Sequence, residues 1–95
     1  MGKVKFDFGN IYMTCGINQA TQENEKLCKF VEKALQRHLE GDWGDLCEED
    51  RQSNEEALVN GDRLFSSYKF NDDIRVWIIT ECDRSATTIL FPDEY

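Results

Sequence analysis

Nine carboxylates lie between Glu40 and Asp62 (Glu40, Asp42, Asp45, Glu48, Glu49, Asp50, Glu55, Glu56 and Asp62) against Arg51 alone, and they account for the whole formal net charge of −8. Carboxylates at this density have two chemical uses. They can converge on a divalent cation, a hard ion that takes several oxygen ligands. Or they can stay solvated as a local anionic field, which repels nucleic acid and attracts the basic surfaces that proteins build to hold it. Asp42, Asp45, Glu48 and Glu49 are the candidate magnesium ligands. A metal-dependent nuclease also needs a cation beside them to steady a phosphate, and the stretch offers only Arg51, so the residues favour an acidic binding surface. Outside the stretch ten acids balance ten bases. The charge is therefore concentrated, where a scattered excess would serve solubility alone.

Other chemistry-bearing residues are sparse. His38, the single histidine, falls at a helix end, where it reads as a dipole partner or a solvated side chain. Cys15, Cys28, Cys47 and Cys82 are spaced by 13, 19 and 35 residues with no Cys-x-x-Cys pair. They read as four free, mostly buried thiols, with a zinc site as the lesser alternative. Glu81, Asp83, Arg84, Ser85, Thr87 and Thr88 form a polar cluster that a well-capped hairpin explains, with Arg84 a candidate salt-bridge partner for the Trp43 loop. Glu81, Asp83 and Arg84 are secondary candidates for partner contact. In Gly41-Asp42-Trp43-Gly44-Asp45, two glycines let the chain turn sharply while the indole docks, which predicts Trp43 as a core anchor presenting its flanking carboxylates.

The elements that must position these residues follow from periodicity. Lys3 to Thr14 alternates apolar and polar around Gly9-Asn10, predicting a short hairpin or two broken edge strands. Asn18 or Thr21 is the expected cap of a long helix with the stripe Leu27, Cys28, Phe30, Val31, Ala34, Leu35 and Leu39; Gly41 ends it. Asp45-x-x-Glu48 and Ser53-x-x-Glu56 match capping boxes, predicting two short helical segments separated near Gln52. Strands follow over Leu64 to Phe70, Ile74 to Thr80 and Ala86 to Phe91, with turns at Asn71-Asp72-Asp73 and Glu81 to Ser85. The order ββ-α-α-βββ predicts a single α+β domain over residues 1–95. In it, a three-stranded antiparallel meander and an N-terminal hairpin have one face covered by one long helix and short helical segments. Trp43 and Trp77 are expected at opposite ends of one core.

Ninety-five residues with eleven aromatics suffice for one modest core. No apolar run is long enough to span a membrane. Met1 to Asp7 lacks the apolar segment of a signal peptide, which predicts a cytoplasmic protein. Gly2 begins a loose myristoylation pattern that fails at Phe6.

Longer strings are more specific. His38-Leu39-Glu40-Gly41-Asp42-Trp43-Gly44-Asp45-Leu46-Cys47-Glu48-Glu49-Asp50, then Arg63-Leu64-Phe65-Ser66-Ser67-Tyr68, then Trp77 through Tyr95 resemble a family of small acidic proteins carried on bacterial plasmids and conjugative elements. The resemblance covers nearly all of the chain after the long helix and extends to anti-CRISPR inhibitors of type II systems. It implies a counter-defence role with no catalytic residue and no cofactor. The partner it implies is a protein with a basic nucleic-acid-binding surface, an RNA-guided nuclease, with no direct binding to nucleic acid and no membrane. The partner-binding candidates are Asp42, Asp45, Glu48, Glu49, Asp50, Glu55 and Glu56. The alternatives are an anti-restriction DNA mimic, a magnesium-dependent ribonuclease acting on guide RNA, and a structural or regulatory component of conjugation.

Overall fold

The computed structural model describes residues 4–95. It is an α+β fold with three helices packed on a mixed four-stranded sheet. In chain order these are β1 (Asn10–Met13), α1 (Cys15–Glu23), α2 (Glu25–Leu39), α3 (Glu48–Asn60), β2 (Leu64–Lys69), β3 (Arg75–Thr80) and β4 (Ala86–Leu90), followed by a 3₁₀ turn at Pro92–Glu94. The spatial strand order is β1-β4-β3-β2. β2, β3 and β4 pair consecutively and antiparallel, whereas β1 lies parallel to β4 with Ile11 opposite Thr87 and Met13 opposite Ile89.

The expected N-terminal hairpin is absent from the described residues; Lys3 lies outside them. Residues 4–8 run past the end of α2 instead of pairing with β1. Lys5 N–H donates to Leu39 C=O at 2.9 Å, and Phe8 C=O accepts from the Thr87 hydroxyl at 2.8 Å. Phe6 stacks on Trp43 and meets His38 edge-on, so tertiary contacts override the local alternation.

The expected single long helix is two helices. Thr14 caps α1 by accepting from Ile17 N–H at 3.2 Å, and Asn24 caps α2 by accepting from Leu27 N–H at 3.1 Å. Asn18 and Thr21, the expected caps, sit inside α1, where the Thr21 hydroxyl bonds back to the Ile17 and Asn18 carbonyls. α2 ends in a Schellman arrangement at Gly41, whose φ is +84°, with Asp42 N–H donating to Arg37 C=O and Gly41 N–H to His38 C=O.

The acidic stretch also departs from expectation. α3 is one continuous helix from Glu48 to Asn60, because no Gly or Pro interrupts it and Ser53 makes no capping bond. Neither capping box forms. The N-cap is Cys47, and Glu48, Glu49 and Asp50 fill the first turn, where carboxylates suit the positive end of the helix dipole. Gly61, in the left-handed region at φ +76°, ends the helix.

The main core joins Ile17, Leu27, Val31 and Ala34 of the helices to Tyr68, Val76, Ile78 and Ile89 of the sheet. A second cluster of Trp43, Ala57 and Leu64, with Phe6, Leu46 and Leu58 around it, seats α3. Trp77 is not at the far end of the same core. It is half-buried on the opposite face of the sheet, edge-on to Phe65 at 4.9 Å and to Tyr95 at 5.9 Å between centroids.

Candidate functional site: an acidic helix stapled to a sheet edge

A sheet edge presents unpaired N–H and C=O groups, and the outer edge of β2 is closed at every outward-facing residue by the acidic segment. Asn54, buried in the middle of α3, donates from its amide to Phe65 C=O at 2.6 Å and accepts Phe65 N–H at 3.1 Å. Two residues on, Ser67 N–H donates to Trp43 C=O at 3.3 Å and Ser67 C=O accepts Asp45 N–H at 2.7 Å. Asp45 Oδ2 then accepts Lys69 N–H at 2.8 Å. Gly44 permits this approach: its φ is +77°, and an added Cβ would lie 2.7 Å from the Tyr68 ring. Arg51 completes the loop by donating to the Leu46 and Gly44 carbonyls at 3.1 and 3.0 Å. The one cation of the stretch therefore serves the backbone and forms no ion pair among the described residues, acting on Asp42 only through space.

The structure sorts the predicted site residues into two groups. Asp42 forms a two-pronged pair with Arg37 at 2.8 and 3.2 Å and accepts Gly44 N–H at 3.2 Å. Hydrogen bonding from Arg37 holds its carboxyl below the usual carboxylate range, and the same bond raises the Arg37 guanidinium. Asp45 is spent on the β2 edge, and Glu55 accepts the Trp43 indole N–H at 2.7 Å. Glu48, Glu49, Asp50 and Glu56 are exposed, with no side-chain hydrogen bond or ion pair among the described residues. The expected footprint is thus split: Asp42, Asp45 and Glu55 build the platform, while Glu48, Glu49, Asp50 and Glu56 stand free on it. Among the described residues no three His, Cys, Asp or Glu side chains gather as a metal set.

Arg84 is not paired with the Trp43 loop. It sits at φ +61° in the β3–β4 turn and donates to the Asp62 and Ala57 carbonyls at 2.6 and 3.1 Å. A guanidinium thus covers the negative end of α3, whose last turn has no basic residue of its own. Glu81 and Asp83 are exposed beside it. Asp83 accepts Ser85 N–H at 3.0 Å, and hydrogen bonds from the Ser85 side chain and backbone lower its carboxyl from the ordinary value.

Two expectations about reactive side chains are corrected. His38 is fully buried. Its position extends the row Leu27, Val31, Ala34 by another four residues, the 4-3-4 spacing of one helix face, and that spacing was the signal to follow. Its Nδ1 meets the Ser66 hydroxyl and its Nε2 lies 2.9 Å from Thr80 Oγ1, which continues to Thr87 Oγ1 at 2.8 Å. Burial pushes the imidazole pKa down to about 3. Every member of this chain is inaccessible to a substrate, so it is a structural network in which a Ser–His pair has no nucleophilic role. The thiols are free, but Cys15, Cys47 and Cys82 are exposed and Cys28 is partly so; none is buried.

Sequence reasoning passed over one further surface. Arg63, Phe65, Trp77, Ile79 and Tyr95 line a half-open depression of about 260 Å³ on the helix-free face of the sheet. The Arg63 guanidinium carbon lies 5.1 Å from the centroid of the Tyr95 ring, and its Nη1 donates to Tyr95 Oη at 2.7 Å. No protein-family model, curated protein or solved structure matches this chain.

Proposed function

We propose that this protein is a mobile-element counter-defence factor, an anti-CRISPR inhibitor that occupies a basic nucleic-acid-binding surface of an RNA-guided type II nuclease. It acts by binding, without catalysis or cofactor, from the cytoplasm of its host. The observation that carries the reading is the free carboxylate set of α3. Glu48, Glu49 and Glu56 project unpaired from the side of the helix away from Asn54 and Ala57, which fasten it to β2, and Asp50, in the same row as Asn54 and Ala57, is exposed in the first turn. First-turn acids are also what a helix dipole favours, which gives Glu48, Glu49 and Asp50 a local reason to be acidic, but Glu56 lies beyond that turn and has none. Retaining charge there favours a surface kept for a partner. Glu49 and Glu56 are seven residues apart on one continuous helix, about 10.5 Å at roughly 1.5 Å per residue, so the free acids form a strip that a cationic groove can follow. The long-motif resemblance to mobile-element proteins points to the same class of partner.

The test is target-DNA cleavage by a type II nuclease preincubated with the protein. The parent should suppress cleavage. The variant with Glu48→Gln, Glu49→Gln, Asp50→Asn and Glu56→Gln, which leaves Asp42, Asp45 and Glu55 in their structural bonds, should suppress it at least tenfold less well. Equal inhibition by the two removes the α3 carboxylates from the mechanism. An anti-restriction mimic would leave the nuclease untouched and protect DNA from a restriction enzyme instead.

A further inference from the structure

The two edges of the sheet are treated in opposite ways. The β2 edge is closed at Phe65, Ser67 and Lys69 by α3 and the Trp43 loop. The β1 edge is open. Asn10 N–H and Thr14 N–H donate into β4 at 3.1 Å each, so the alternate residues Ile11 and Met13 turn their backbone N–H and C=O away from the sheet, where no partner meets them among the described residues. Ile11, Tyr12 and Met13 are 43%, 52% and 47% exposed, in a chain whose other strands are largely buried. Natural sheets blunt such an edge with charge, proline or a covering element, and among the described residues β1 has none of these. From Phe8 to Gln22, the span that contains β1 and nearly all of α1, there is no charged residue, in a protein that is 32% charged. The Glu94 carboxylate, beside the end of β1, is engaged by the Thr14 hydroxyl at 2.7 Å and by Phe91 N–H at 2.8 Å.

From this juxtaposition we infer that β1 is a homodimerisation edge, pairing antiparallel with β1 of a second copy to give a continuous eight-stranded sheet. The geometry is self-complementary, as a two-fold interface requires. With the axis at Tyr12, Ile11 faces Met13 of the second copy and the two exchange both backbone hydrogen bonds; the symmetric pair does the same. Ile11 and Met13 lie on the helix side of the sheet, in register with buried Thr87 and Ile89, so apolar side chains meet across the seam. The two Tyr12 rings come together on the other face. Strand pairing alone buries too little for a stable dimer. The remainder comes from the neutral outer surface of α1, where Cys15, Asn18, Gln19 and Gln22 are exposed. A second copy fits better than a charged partner because nothing on this edge offers charge to recognise. The acidic segments would lie at the two far ends of the joined sheet, seven strand spacings or about 34 Å apart, where their mutual repulsion is screened. The inference stands independently of the proposed target.

Sedimentation equilibrium of the full chain under reducing conditions, which removes disulfide-linked species formed through exposed Cys15, tests it. The parent should show a concentration-dependent monomer–dimer equilibrium, with exchange of the Ile11 and Met13 amides slowing as concentration rises. Ile11→Pro deletes an outward N–H without touching the β1–β4 ladder, and Tyr12→Lys sets two like charges face to face on the axis. Each should weaken dimerisation at least tenfold with the circular dichroism spectrum unchanged. Should the proline variant not fold, Tyr12→Lys carries the test alone. A parent that is monomeric at submillimolar concentration overturns the inference, and so does a dimer that Tyr12→Lys leaves intact. Protection of the Ile11 and Met13 amides that appears only on adding another protein also overturns it, and identifies β1 as an acceptor for a foreign strand.

Discussion

Lowering the pH from 7 to 5 should destabilise this protein through one side chain. His38 is buried among Ser66, Thr80, Phe6 and Trp43, with no charged side chain hydrogen-bonded to it. Its pKa of about 3 in the fold compares with about 6.5 in the unfolded chain. Between those values the unfolded state binds a proton that the folded state refuses, so stability is complete above the unfolded pKa and falls as the pH drops toward the folded one. The slope approaches about 1.4 kcal/mol per pH unit, and the loss from pH 7 to 5 integrates to about 2 kcal/mol. For a domain of this size that is a fall of roughly 10 °C in Tm. Asp42 and Asp83, exposed carboxylates held below their ordinary pKa, keep their full contribution above the ordinary carboxylate range and lose it only at lower pH. The interval from pH 5 to 7 therefore isolates the imidazole. Urea denaturation at several pH values reads the slope, and the same series on His38→Gln, whatever its absolute stability, should be nearly flat. NMR can follow this single histidine without assignment. An imidazole that titrates near pH 6.5 in the folded protein, or a variant that keeps the parental slope, would mean that burial of His38 is not the source of the pH dependence.

Three further outcomes are expected. Asn54→Leu should leave the Phe65 N–H and C=O without partners and cost about 2 to 4 kcal/mol in denaturant titration, with faster exchange at the Phe65 amide. Gly44→Ala should cost at least about 1 to 2 kcal/mol from the left-handed backbone alone, with more from the approach to Tyr68; a midpoint equal to the parent's would mean the loop is not held against β2. Arg84→Ala should fray the last turn of α3, seen as lost amide protection at Gly61 and Asp62, while protection at Ile78 and Ile89 in the core persists.

The α+β class was legible because β2, β3 and β4 announce themselves through alternation and turn chemistry, as at Asn71, whose side chain accepts the Asp73 and Ile74 N–H groups. The split between α1 and α2 was hidden because Asn24 is one of several polar residues that could cap a helix, and only the tertiary packing of Ile17 selects it. The parallel pairing of β1 was hidden because alternation states that a strand exists and says nothing about its neighbour. α3 was misread as two pieces because Ser53 satisfies a capping pattern in sequence while its backbone stays helical. In the site, the local charge was visible, but the spending of Asp42, Asp45 and Glu55 on Arg37, Lys69 and Trp43 depends on contacts that the chain order does not display.

If the free α3 carboxylates take the place of nucleic acid on a basic protein surface, protein and nucleic acid must compete for that surface. Titrating the protein against a type II nuclease, first free of nucleic acid and then loaded with guide and target, measures that competition most directly. Association with the nucleic-acid-free enzyme should be tight and weaken as salt rises, and it should be lost once the channel is filled. Equal affinity for the empty and the loaded enzyme, with no dependence on salt, would contradict that competition.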